Sequence, residues 1–154
     1  MKTNYKFPFQ VIEKGANLGY APAKLPLLFL VPFVQVAWAE GFVQAAERRA
    51  ILRFAENFNV LTDDDNHAQL NEWLDERPSD EFFSESCADL RELLEDIPPK
   101  HAARLRSMLQ FGCVEVANAA GDIGLLRGRS SVRREEREHL RHIGEQLGLT
   151  QSHV

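Results

Sequence analysis

A segment of eight residues that occurs twice constrains this chain more than any other feature of its sequence. VQVAWAEG at 34–41 is matched by VEVANAAG at 114–121, with identical residues at five of the eight positions. The segments that follow, 47–60 and 136–149, align without a gap and place apolar residues at the same points. This recurrence predicts two copies of one structural unit, covering about residues 27–60 and 105–149.

Each copy has the pattern of a helix, a turn and a second helix. The apolar residues of the second helix recur at i, i+3 and i+7, the stripe of a helix with one buried face; they are Ile51, Phe54 and Phe58 in one copy and Leu140, Ile143 and Leu147 in the other. We expect Gly41 and Gly121 to end the first helix of each copy with positive φ. Asn59 and Gly148 stand at equivalent positions after the second helix, where both residue types tolerate the left-handed conformation.

The apolar run LPLLFLVPFVQVAWA, residues 25–39, raises the question of an export signal. Ala37 and Ala39 suit signal peptidase, but 24 residues precede the run, and Pro26 and Pro32 interrupt it. The run is also shorter than the roughly 20 apolar residues that span a bilayer, and part of it recurs in mid-chain. It therefore predicts a buried helix of a cytoplasmic protein without direct membrane insertion.

The remaining segments also have helical signals. Residues 1–23 predict an irregular arm or a short helix, and residues 24–154 a single helical domain. Thr62 to Asp65 can cap a helix that runs to about Glu76, and Ser79 can begin another toward Ile97, before Pro98 opens a long helix. No strand pattern is present, so we predict an all-α, single-domain bundle of six to seven helices with two pseudo-symmetric helix–turn–helix repeats.

The two cysteines, Cys87 and Cys113, have neither the spacing of a zinc site nor the density of a disulfide framework. We expect both to be reduced, buried thiols, as is usual in the cytosol.

The charges of the chain are unevenly distributed. Residues 56–96 contain 14 acidic and two basic side chains, whereas residues 100–141 contain nine basic and five acidic ones. The net charge of −5 argues against nucleic-acid binding, which depends on neutralising phosphates. A cluster of arginines in the second copy is either a solvated loop or a contact site for an anion or a protein partner; it consists of Arg127, Arg129, Arg133 and Arg134.

The repeats resemble the tellurite-resistance TerB-like family. The resemblance rests on LVPFVQVAWAEGFVQAAERRAILRFAENFNV and FGCVEVANAAGDIGLLRGRSSVRREEREHLRHIGEQLGL, and it covers roughly the first and last thirds of the domain. It implies a non-catalytic, all-helical bacterial module of a stress or metal-resistance system, whose acidic turns bind a divalent cation such as Ca²⁺, Mg²⁺ or Zn²⁺. The residues that match the family's acidic positions are Glu40, Glu47 and Glu136, with Asp122 in place of the missing acid at Ala120.

The residues themselves leave other roles open. Glu47 and Glu136 can instead cap the helices that they begin. A carboxylate-bridged metalloenzyme would use Glu40, Glu115, Glu136 and His139, although the Glu-x-x-His pair at 136–139 occurs once where such sites use it on two helices. A third alternative is a pure protein-interaction module. It would use the arginine cluster and the acidic middle of the chain, residues 56–96, as its contact surfaces. We expect a protein partner, with a second copy of the chain as one candidate.

Overall fold

The computed structural model describes residues 5–123 and 134–149, with the backbone alone for residues 120–123 and 134–136. Within these ranges the chain forms seven helices and no strand: α1 (Phe9–Asn17), α2 (Leu25–Ala37), α3 (Ala45–Asn57), α4 (Asp64–Asp75), α5 (Asp80–Glu95), α6 (Pro99–Ile123) and α7 (Arg134–Leu147). The predicted class, an all-α single-domain bundle, is confirmed. No helix in the described part of the chain is long and apolar enough to cross a membrane.

Helix α2 is the centre of the bundle. All of its residues except Pro26 are buried, and it contacts α3, α4, α5, α6 and α7. A helix that is apolar on every side needs this position, because any exposed face would leave apolar surface in water. The apolar run is therefore a buried core helix, as predicted.

Helix α6 comes very close to α2 at Gly112. A Cβ atom built on Gly112 would lie 2.3 Å from Cζ of Phe33, so the Phe33 ring rests directly on the backbone of α6. Only glycine leaves the room for this contact. It fixes the position of α6 beside α2 and α3, and so the position of the cleft described below.

Helices α3 and α7 end in the same way. Asn59 has φ 63° and Gly148 has φ 74°, both in the left-handed region. The N–H of the next residue donates back to the last turn, from Val60 to Ala55 O (2.9 Å) and from Leu149 to Gly144 O (2.8 Å). This is the Schellman pattern, and the predicted left-handed conformation at Asn59 and Gly148 is confirmed.

The turns that follow the two eight-residue segments, 34–41 and 114–121, differ. Gly41 takes the predicted positive φ (91°), but α2 already ends at Ala37, so Gly41 lies in the turn that follows and does not end the helix. The prediction that Gly121 ends the equivalent helix is wrong, because α6 continues through Ile123. Two alanines precede Gly121 and favour helix, and the segment to Glu136 is nine residues longer than the one from Gly41 to Glu47, so no tight turn is required. The pseudo-symmetry of the repeats is not confirmed.

The N-terminal residues pack over the bundle. Lys14 on α1 forms an ion pair with Asp96 (2.8 Å), and the Tyr20 hydroxyl donates to Asp89 Oδ2 (2.6 Å). Helices α4 and α5 begin at side-chain caps, since Asp63 accepts from Asn66 N and Ser79 accepts from Phe82 N, each at 3.0 Å. The contacts of Lys14 and Tyr20 hold α1 and the turn after it against α5. The arm, residues 5–8, lies at the end of α3, where the Tyr5 N–H donates to Asn57 O.

Candidate functional site

Glu47 caps the start of α3. Its Oε1 accepts the backbone N–H of Gln44 at 2.8 Å, and the residue is only 4% exposed. A glutamate at the third position of a helix that reaches back to the N-cap is one half of a capping box. The capping role, one of the two open from the sequence, is therefore present.

The other predicted metal ligands are only partly described. Glu40 is half-buried in the turn after α2, while the side chains of Asp122 and Glu136 lie outside the described residues. The convergence of the four carboxylates on one cation stays a prediction. Among the side chains that the structure does describe, no three His, Cys, Asp or Glu residues are grouped so as to hold a metal ion.

The predicted arginine cluster also lies outside the described residues. Arg127, Arg129 and Arg133 fall between the two ranges, and only the backbone of Arg134 is included, at the start of α7. Part of the acidic middle is already paired within the molecule. Examples are the contacts of Asp96 and Asp89 with the N-terminal residues and the ion pair between Arg48 and Asp75 (3.0 Å).

His139 has a structural partner. Its Nε2 lies 3.2 Å from the carbonyl oxygen of Gln35, one of the last carbonyls of α2, which the helix itself leaves without a donor. A carbonyl oxygen only accepts, so Nε2 carries the hydrogen. Burial lowers the pKa of His139, and the charges of His142 and Arg77 lower it further. The hydrogen bond to Gln35 and the charge of Asp80 act in the opposite direction. The neutral ring thus caps α2. Glu115, another residue of the metalloenzyme alternative, is half-buried on α6.

Both cysteines are buried and free, as predicted. The Cys87 thiol contacts Gln35 Oε1 at 3.6 Å. Burial raises the pKa of Cys87 to about 12, and burial together with nearby Cys87 also raises the pKa of Cys113. Because only the thiolate is a good nucleophile, neither cysteine is activated for catalysis.

A cleft of about 510 Å³ lies between the arm, α3 and α6. We call it the aromatic cleft. Phe54 of α3 and Phe58, the residue after α3, contribute its aromatic floor, and the wall on the arm consists of Tyr5, Lys6 and Pro8. The opposite wall belongs to α6 and consists of His101, Arg104, Met108 and Phe111, while Asn57 completes the lining at the end of α3.

The arm wall is held in place by several contacts. The Tyr5 N–H donates to Asn57 O at 2.8 Å, using a carbonyl at the end of α3. The Phe7 ring packs against Tyr5, Phe29 and Phe58 with centroid distances of 4.9, 5.0 and 5.8 Å. Aromatic pairs at such distances add to the apolar burial, so the wall is anchored before any ligand arrives.

The two ends of the cleft differ in character. Arg104 and His101 come from the first two turns of α6, so the guanidinium of Arg104 makes that end cationic, and Lys6 adds a second cation on the arm wall. Met108 and Phe111 lie further along α6 and make the other end apolar. Phe111 is 60% exposed although it touches Phe54 at 6.4 Å between ring centroids.

This cleft was not predicted from the sequence. Its lining comes from three distant segments, and Phe54 is read from its spacing as an ordinary core residue. The one available signal was the aromatic content near the N-terminus, where Tyr5 and Phe7 of the arm and Phe9 of α1 are close together in sequence.

Comparison of the chain with family models, with curated proteins and with solved structures finds no match in any of the three. The resemblance to the TerB-like family therefore stays a prediction.

Proposed function

We propose that this protein is a non-catalytic binding module whose ligand occupies the aromatic cleft. The observation that supports this most strongly is the cleft itself, with its volume of about 510 Å³, its aromatic floor and its few polar groups at one end. Binding sites for small molecules are mostly apolar concavities of about 300–1,000 Å³ with a small number of polar groups that orient the ligand.

The reactive residue types elsewhere in the described chain favour binding over catalysis. Glu47 caps α3 and His139 caps α2. The two cysteines are buried with raised pKa values. Glu47 and His139 each use one polar atom in a helix cap, and the raised pKa values of the two cysteines keep their thiols protonated.

A neutral fluorescent probe tests the proposal. Nile red should bind at a single site with increased emission, because its ring system can enter the cleft whatever the charge at the rim. Replacing Phe111 by Ser should weaken binding by about tenfold, the cost of losing one aromatic contact residue. Replacing Met108 by Trp should block the cleft and weaken binding further.

The matched control is Phe42→Ser. Phe42 is 55% exposed, nearly as much as Phe111, but it lies in the turn after α2 and does not line the cleft. It should bind Nile red like the unaltered protein. Equal binding by all of these variants would place the probe elsewhere and contradict the proposal.

A further inference from the structure

We propose that the aromatic cleft selects an amphipathic organic anion, with an apolar body and a single carboxylate. The carboxylate would lie at Arg104 and His101, and the body would extend toward Met108 and Phe111. This inference rests on the proposed function, because it names the ligand class of the same site.

The charge of the lining carries the first step. Lys6, His101 and Arg104 line the cleft, and none of its described lining residues is acidic. The chain as a whole has a net charge of −5, so this end of the cleft differs in sign from the rest of the molecule. Lys6 and Arg104 are both exposed, so their charge attracts an anion to the cleft without the strengthening that burial would give.

The start of α6 strengthens the same end. His101 stands in its first turn, where the helix dipole is positive, and that turn contains no acidic side chain, while Arg104 follows in the second turn. The Arg104 guanidinium lies 5.7 Å from the centroid of the Tyr5 ring. A cation–π contact of this kind orients the guanidinium, which can then bind a carboxylate through two parallel hydrogen bonds.

The spacing along α6 gives the ligand its polarity. Arg104 and Phe111 are seven residues apart, a distance of about 10 Å along a helix that rises about 1.5 Å per residue. Met108 lies between them and faces the same cleft. A charged group at one end of the cleft and an apolar surface along the remainder fit a molecule with a head and a tail, as opposed to a compact polar anion such as phosphate.

The segment that precedes the arm does not match this chemistry. Residues 1–4 contain Lys2 and no acid, so their charge does not complement the cationic end. A peptide with a carboxyl-terminal aromatic residue shares the carboxylate and the apolar body, and is therefore included in the experiment.

Three probes that share one hydrocarbon tail test the inference by displacement of Nile red. Decanoate should displace Nile red at a concentration at least about tenfold lower than decanol does. Hydrogen bonds to a charged group favour the carboxylate over the neutral alcohol by about this factor. Decyltrimethylammonium should be weaker still, because it meets like charge. Replacing Arg104 by Gln should abolish the preference for decanoate while Nile red still binds.

Arg53→Gln is the control, because Arg53 is exposed on α3 and does not line the cleft, and the change removes the same charge. It should keep the preference. Equal displacement by decanoate and decanol would overturn the anion inference and leave the cleft as a binding site. Binding of the peptide without binding of decanoate would also overturn it, because the cleft would then require peptide groups that a simple amphipathic anion lacks. Failure of the proposed function is distinct, because Nile red itself would then be insensitive to Phe111→Ser.

Discussion

At the scale of single residues, Gly112 sets how closely α6 approaches α2. Replacing it by alanine should destabilise the protein by about 1–3 kcal/mol, the usual cost of overpacking a core, because the new Cβ would lie 2.3 Å from the Phe33 ring. Helix propensity alone predicts the opposite sign, a gain of about 1 kcal/mol. Urea unfolding measures the difference, and a gain in stability would contradict the contact.

The double variant Gly112→Ala/Phe33→Leu supplies the matched test. The smaller leucine side chain should relieve the clash, so the glycine substitution should cost less in the Phe33→Leu background than in the native one. Equal costs in both backgrounds would show that the destabilisation has another source.

The left-handed residue after α3 gives a second prediction. Replacing Asn59 by Gly should stabilise the protein by a few tenths of a kcal/mol to about 1 kcal/mol, because glycine has no steric penalty at φ 63°. Replacing Asn59 or Gly148 by Ala should destabilise it in both cases. Thermal melting checks the signs, and a destabilised Asn59→Gly variant would contradict the observed ending.

His139 predicts how stability depends on pH. Its pKa is lowered in the folded state, mainly by burial, so below the unfolded pKa of about 6.5 the unfolded chain binds more protons. The stability associated with the neutral ring is fully present above that pH and is lost as the pH falls through the folded pKa. Replacing His139 by Gln should therefore flatten the decline in melting temperature on acidification.

The control for this prediction is His142→Gln. His142 lies on the same helix, three residues from His139, but it is exposed. Its replacement should leave most of the acid dependence in place. The same flattening in both variants, or in neither, would contradict the role assigned to His139.

At the scale of elements, the start of α3 distinguishes a cap from a metal ligand. Replacing Glu47 by Ala should cost about 1 kcal/mol, and the cost should be equal in EDTA and in added Ca²⁺, Mg²⁺ or Zn²⁺. Glu47→Gln should recover most of the loss, because a glutamine oxygen can also accept the Gln44 N–H. Denaturant unfolding with and without each cation measures both effects.

The TerB-like prediction gives a different result in the same experiment. A cation held by Glu40, Glu47, Asp122 and Glu136 would bind only the folded protein and raise its melting temperature. Glu40→Gln and Glu47→Gln would both remove that gain, although Glu47→Gln preserves the cap.

The sequence predicted the helices well, but it placed two helix ends wrongly, since α2 ends before Gly41 and α6 continues past Gly121. Proline, serine and aspartate mark the starts of α4 to α6, and Asn59 and Gly148 mark helix ends, because these residue types act locally. Gly121 is a different case. A glycine after an alanine-rich stretch is compatible with an ending or with continued helix, and the longer segment before Glu136 removes the need to turn.

At the scale of the whole molecule, the cleft depends on how three distant segments pack. The helical stripe predicts that Phe54 and Phe58 face inward, but it does not reveal that the arm and α6 leave a gap above them. That gap follows from the close contact of α6 with α2 at Gly112 and from the aromatic anchoring of the arm through Phe7. Neither contact has a signature in local sequence.

The most direct test of the central claim is a map of amide chemical shifts in the full chain during titration with decanoate. The account predicts saturable changes confined to the arm, to the end of α3 near Asn57 and Phe58, and to α6 from His101 to Phe111. Changes centred instead on Val114 and Leu140, which line a separate groove between α6 and α7, or the absence of any saturable change, would contradict it.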